Sequence, residues 1–155
     1  MKSTIVTLSF IIAAPVLAAQ QLLTFEQLAP RLTTQSDTVF VVNFWATWCA
    51  PCVAELPYFE QLGLQNKDKK IKILLVSLDN KAYVESKVIP FIKKKKILSE
   101  VVVLSEKDPN KWVDKVDSTW TGSIPATLIF DKSKRLFYEQ QFASFKELES
   151  AFLKL

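Results

Sequence analysis

Cys49 and Cys52 are the only cysteines in a chain of 155 residues, and two residues separate them. At the first turn of a helix this spacing brings both sulfurs within bonding reach. The leading sulfur then lies where backbone N–H groups lack intrahelical partners and the helix dipole is positive. Both effects favour thiolate and lower the thiol pKa from about 8.5 toward roughly 3.5–7.5. Cys49 is expected to attack a disulfide, and Cys52, a turn deeper, to resolve the mixed disulfide that results. Pro51 between them fixes φ and removes one N–H donor. Two other uses of the pair compete. A static disulfide would close too short a loop to constrain the unfolded chain much. A metal site would need ligands that no further Cys or His supplies. The expectation is redox catalysis, with no cofactor and no metal.

The rest of the composition narrows the field. There is no His, so neither a Ser–His nor a Cys–His dyad can form. Two Gly, Gly63 and Gly122, cannot furnish a glycine-rich phosphate cradle. The length and the 49% hydrophobic content suit one globular domain with a real core. The net charge of +4 is mild. Its basic residues are not interleaved with aromatics, so nucleic acid is not an expected partner. The Lys93–Lys96 run sweeps about 300° of a helix and falls near a predicted C-terminus, where cations are favoured; it reads as a solvated helix end.

Met1–Lys2, the apolar stretch Ile5–Leu17 and the small residues Ala18–Ala19 follow the order of a secretory signal peptide. The expected division is a signal over 1–19, with an uncleaved anchor as the alternative, and one domain over 20–155. Export places the cysteines where disulfides persist, in the periplasm or cell envelope.

The elements that must position this chemistry are legible in the pattern. VFVVNFW, Val39–Trp45, is β-branched, aromatic and continuous, as in a strand buried on both faces. A helix is expected from about Cys49 to Gln65, immediately after it. Ile71–Leu78 and Val101–Leu104 read as further strands, with a helix over Lys81–Lys95 between them. Phe25–Leu32 and Pro109–Val116 read as short helices, the latter capped by Asp108. Thr127–Phe130 and Leu136–Phe142 read as a hairpin, and Phe145–Leu155 as a closing helix. Strands alternating with helices, then a hairpin and a helix, describe an α/β sandwich with a mixed sheet.

Val42 to Cys52, followed by Glu55-Leu56-Pro57, closely resembles the thioredoxin superfamily, and more narrowly its exported TlpA/ResA/CcmG-type thiol-disulfide oxidoreductases. Every fixed position of their W-C-x-P-C-x-x-E-x-P pattern is matched. Ser123-Ile124-Pro125-Ala126-Thr127 resembles the family's cis-proline loop, and the likeness runs in order through the whole mature chain.

The resemblance implies a thioredoxin-like three-layer sandwich, with Pro125 facing the cysteines. It implies a role for Glu55 in their proton chemistry: raising thiol pKa, or serving as base for Cys52. Asn43 stands where thioredoxin itself carries a buried acid; it cannot accept a proton, which leaves Glu55 for that task. Trp48 is expected as an exposed contact surface beside the reactive sulfur. Ile124 is expected to pair through its backbone with a bound substrate segment. Trp120 could line the substrate groove or belong to the core. Pro57 reads as helix architecture, and Lys132-Ser133-Lys134 replaces the glycine that relatives place in the hairpin turn. The implied activity is reduction of disulfides in envelope proteins by a monomer, recharged by a membrane thiol-electron relay of the DsbD/CcdA kind, with cytochrome c maturation as the best-known client pathway. Three alternatives share the scaffold. These are a disulfide-donating oxidase or isomerase, a peroxiredoxin-type peroxidase (which needs a different cysteine motif), and a non-catalytic or metal-binding module.

Overall fold

Along Val39–Trp45 successive side chains point to opposite faces of a sheet. In the computed structural model, which describes residues 21–155, that strand is β2, and both of its faces are covered. Val42 and Phe44 enter one core with Phe25, Leu28, Trp112, Trp120 and Leu128. Val41 and Trp45 enter a second with Cys49, Cys52, Phe59, Leu75, Phe142 and Leu148. Burial on two sides explains why the run is continuous rather than alternating.

The elements follow as β1 (Gln21–Leu23), α1 (Phe25–Leu28), β2, α2 (Ala50–Gln65), β3 (Ile71–Ser77), α3 (Ile89–Lys95), β4 (Glu100–Leu104), α4 (Val113–Val116), β5 (Ala126–Phe130), β6 (Arg135–Tyr138) and α5 (Phe145–Phe152). The six strands lie in the order β1-β4-β3-β2-β5-β6. The first four are parallel; β5 runs antiparallel to β2, and β6 antiparallel to β5. Helices α1 and α4 supply the first core; α2 and α5, with Phe91 and Ile92 of α3, supply the second. This is the expected three-layer α/β sandwich.

The structure departs from the sequence reading in local ways, each with a cause. The edge strand β1 is too short for periodicity to reveal; pairing with β4, Gln21 opposite Val102, creates it. The helix expected over Lys81–Lys95 is three pieces: a 3₁₀ turn (Lys81–Tyr83), a wide π turn (Val84–Val88) and α3. Pro90 lacks an N–H and its ring would strike the Ser86 carbonyl in a regular α-helix, so the wider turn accommodates it. Strand β6 ends at Tyr138 rather than Phe142, because Glu139 and Phe142 are drawn into the site described below. The hairpin turn manages without glycine. Asp131 Oδ1 accepts from the Ser133 N–H at 2.6 Å and from the Lys134 N–H at 2.8 Å. This is an Asx turn in place of a left-handed residue. The segment 1–19, read as a signal, lies outside the described residues.

Candidate active site

Strand β2 delivers the chain to the sulfurs. After Trp45 the backbone turns, with Cys49 N–H donating to the Ala46 carbonyl at 3.1 Å. The turn is pinned by a residue that the sequence reading did not single out. Asp79, just beyond β3 and buried, accepts from the Thr47 N–H at 2.9 Å, the Thr47 hydroxyl at 2.6 Å and the Ser77 hydroxyl at 2.8 Å. A polar residue one step past a buried strand was the available signal; its target, 32 residues away in sequence, was not.

Cys49 is the N-cap of α2, with extended backbone, and Pro51 lies in the first turn. Its Sγ accepts from the Cys52 N–H at 3.3 Å. That contact is expected for a sulfur at a helix N-terminus. The two cysteines form a disulfide. Cys49 is 6% exposed and Cys52 is fully buried, so an attacking group reaches Cys49 first. Trp48, beside it, is 69% exposed, a large apolar ring in solvent at the edge of the reactive sulfur. Pro51 is exposed as well.

The second wall comes from the loop before β5. The Ile124–Pro125 peptide bond is cis, and Pro125 is buried. β5 begins at Ala126, opposite Phe44 of β2, so the loop stands over the start of α2. The Ile124 carbonyl oxygen lies 3.8 Å from Cys49 Sγ. Glu139 holds this loop, accepting from the Thr121 N–H and the Ser123 N–H at 3.0 Å each and from the Thr121 hydroxyl. Gly122 between them has φ +93°, a conformation that L side chains rarely adopt. Trp120 belongs to the core and not to a substrate groove. It is 3% exposed, packs on Phe44, Trp112 and Phe137, and donates its indole N–H to the Ser123 carbonyl at 2.8 Å. It braces the loop from the core side.

Glu55 sits on the inner face of α2, one helical turn past Cys52, and is fully buried. The alternation of β2 explains its partner. Asn43 shares a strand face with Val41 and Trp45, the face that α2 covers. Asn43 Nδ2 donates to Glu55 Oε1 at 2.9 Å and to Thr127 Oγ1 at 3.0 Å. The Phe142 N–H donates to Glu55 Oε2 at 2.8 Å. Burial pushes the carboxyl up from 4.5 to about 7, against the opposing pull of the Phe142 and Asn43 donors. A carboxyl poised there can exchange a proton at neutral pH. Asn43 Oδ1 is buried without a partner among the described residues. Sequence did not single out Thr127 as a partner of Asn43 or Phe142 as a partner of Glu55, because these contacts arise only through strand pairing and the return from β6.

Comparison with known proteins agrees with this arrangement. The AhpC/TSA family pattern matches residues 14–138. A thiol-disulfide oxidoreductase ResA of Bacillus cereus is 27% identical over 95 residues, 61% of this chain and 50% of that protein. The ResA of Oceanobacillus iheyensis is 43% identical over 54 residues, 35% of this chain and 28% of that protein. The chain thus spans half or less of the length of these curated relatives. Among solved structures, a thioredoxin-related protein from Neisseria meningitidis superposes with a TM-score of 0.64 at 21% identity, covering 77% of this chain and 85% of the other. A secreted Mycobacterium tuberculosis disulfide oxidoreductase homologous to DsbE superposes at 0.58 with 19% identity, covering 78% and 84%. These likenesses show a thioredoxin-like fold. With four-fifths of its length matched by one family pattern, the chain belongs to the AhpC/TSA family.

Proposed function

We propose that this chain is an exported thiol-disulfide oxidoreductase that reduces disulfides of envelope proteins. One observation carries the reading. Cys49 caps the redox helix with its sulfur facing both a backbone donor and the cis-proline loop, while its partner Cys52 is fully buried. In the reduced protein the Cys49 thiolate attacks one sulfur of a substrate disulfide, and the other substrate sulfur leaves as a thiolate. Cys52 loses its proton and attacks Cys49 Sγ. The second substrate thiolate departs, and the Cys49–Cys52 disulfide remains, two electrons having passed to the substrate. Glu55, held near neutrality, is suited to take the Cys52 proton in the low-dielectric interior. Trp48 and the Ile124 backbone form the edge against which a substrate segment lies as an added strand.

Export is supported by the N-terminal sequence and by the description of the Mycobacterium tuberculosis neighbour as secreted. No helix of the described residues is long and apolar enough to cross a membrane. A membrane thiol-electron relay would return electrons to the disulfide, and cytochrome c maturation is the client pathway that the ResA-like resemblance favours. The test is reduction of a protein disulfide by the reduced chain. Wild type is expected to turn over and Cys49→Ser to be inactive; equal rates overturn the reading. Cys52→Ser is expected to stall as a mixed disulfide on Cys49, whose partner mass spectrometry identifies. A reduction potential well above about −180 mV would instead make the chain a disulfide donor, and rapid peroxide turnover would make it a peroxidase.

A further inference from the structure

Parallel strands place their starts at one end of a molecule and their finishes at the other. The sulfurs lie at the finishing end, just beyond β2. Four connections gather at the starting end: 33–38 before β2, 66–70 before β3, 96–99 before β4, and the 131–134 turn, brought there because Phe130 pairs with Phe40. Helix α3 also ends here, with Lys96 in the left-handed conformation closing it. Those four connections and Lys93–Lys95 together hold nine lysines against three aspartates, a net +6 in a chain whose total is +4. The remainder is therefore net negative; at the sulfur end Asp79, Glu106, Asp108 and Glu139 are mixed with Lys81, Lys107 and Lys111.

This polarity is invisible in the linear charge run, which by itself reads as a solvated helix end. Folding sets Lys67, Lys69 and Lys70 beside Lys93–Lys96. Among the described residues none of these seven is in an ion pair. The most exposed leucines that flank them are Leu98, 75% exposed, and Leu64, 60% exposed. Leu64 lines both an apolar cleft of about 460 Å³, with Lys95 and Lys96, and a smaller one with Lys67 and Leu98; Glu60, which borders both, is engaged by the Leu98 and Ser99 N–H groups. Unpaired lysines interspersed with exposed leucines are what an anionic lipid interface attracts and accepts. The chain also enters β1 from this end.

We infer that the strand-start end, with Lys67, Lys69, Lys70, Lys93–Lys96, Leu64 and Leu98, docks on an anionic phospholipid bilayer and turns the Cys49–Cys52 site away from it. The inference does not depend on the redox reading, because no redox residue takes part. The test is lysine acetylation read by mass spectrometry, on the full chain with phosphatidylcholine vesicles or with the same vesicles carrying phosphatidylglycerol. Expected is several-fold protection of Lys67 and Lys93–Lys96 by the anionic vesicles alone, lost at high salt, with Lys81, Lys107 and Lys111 unchanged. In the variant Lys93→Gln/Lys95→Gln/Leu98→Ser, whose changes are on exposed residues, protection of Lys67 should fall; each lysine removed should weaken partitioning about fivefold. Vesicle binding without this footprint, protection spread evenly over all lysines, equal protection by neutral vesicles, or no binding each overturns it.

Discussion

Replacing Glu55 by Gln isolates the cost of burying one carboxylate. In the folded chain the group titrates near 7 because it is buried, whereas its ordinary value is 4.5. The folded state therefore keeps a proton through the window in which the unfolded state has lost it. The stabilising contribution is fully present below about pH 4.5 and is lost as pH rises through about 7. The gap corresponds to about 3 kcal/mol. Gln cannot ionise and is nearly isosteric. Its oxygen can keep the Phe142 N–H, and its amide can donate to Asn43 Oδ1, which has no partner among the described residues. The oxidised wild type and Glu55→Gln should be unfolded in denaturant at about pH 4.5 and about pH 8.5, on either side of that window. Subtracting one protein from the other removes the titration of every other carboxylate. The variant should gain about 3 kcal/mol relative to wild type across that range, or roughly 10 °C in Tm for a domain of this size. Parallel stability profiles would refute the assignment of a neutral-range proton to Glu55. Release of substrate from the mixed disulfide, measured on the same variant, reads the catalytic side: slower release despite greater stability separates proton transfer from folding.

Three further outcomes follow from the same contacts. Asn43→Ala removes a donor from Glu55 Oε1. The pH midpoint of the stability profile should then move upward and the domain should lose about 1–3 kcal/mol. At Gly122 an added Cβ makes only an ordinary van der Waals contact, Val113 Cγ2 at 3.9 Å, so the cost of Gly122→Ala is the backbone at φ +93°. Equilibrium unfolding should show a loss of about 1 to about 2 kcal/mol. Trp48→Ala truncates an exposed ring. Stability should stay within about 0.5 kcal/mol of wild type, while KM for a protein disulfide rises.

Much of the fold was legible because its signals are local. A continuous β-branched run must be buried on both faces, and C-x-x-C after such a strand must fall on the first helical turn. The reactive order, Cys49 outward and Cys52 inward, follows from helix geometry alone. Less legible were features whose cause lies elsewhere in the chain. β1 exists only because β4 offers an unpaired edge. Trp120 is core because Phe44, Trp112 and Phe137 converge on it, and a tryptophan beside a loop carries no local sign of which side it will face.

The sequence by itself narrowed the chemistry: with no histidine and one cysteine pair, any thiol–disulfide exchange within this chain runs through these two sulfurs. It also determined where those sulfurs stand on their helix, since strand, turn and cap are set by neighbouring residues. The tertiary structure decided what surrounds them. Strand pairing brought Asn43 and Thr127 under α2, the return from β6 aimed the Phe142 N–H at Glu55, and the β3 terminus sent Asp79 back to Thr47. Each of these bonds crosses between elements, and burial then moved one carboxyl to neutrality. Spacing sets which atoms lie within reach of each other; desolvation, which depends on the whole packed interior, sets the pH at which the buried carboxyl titrates.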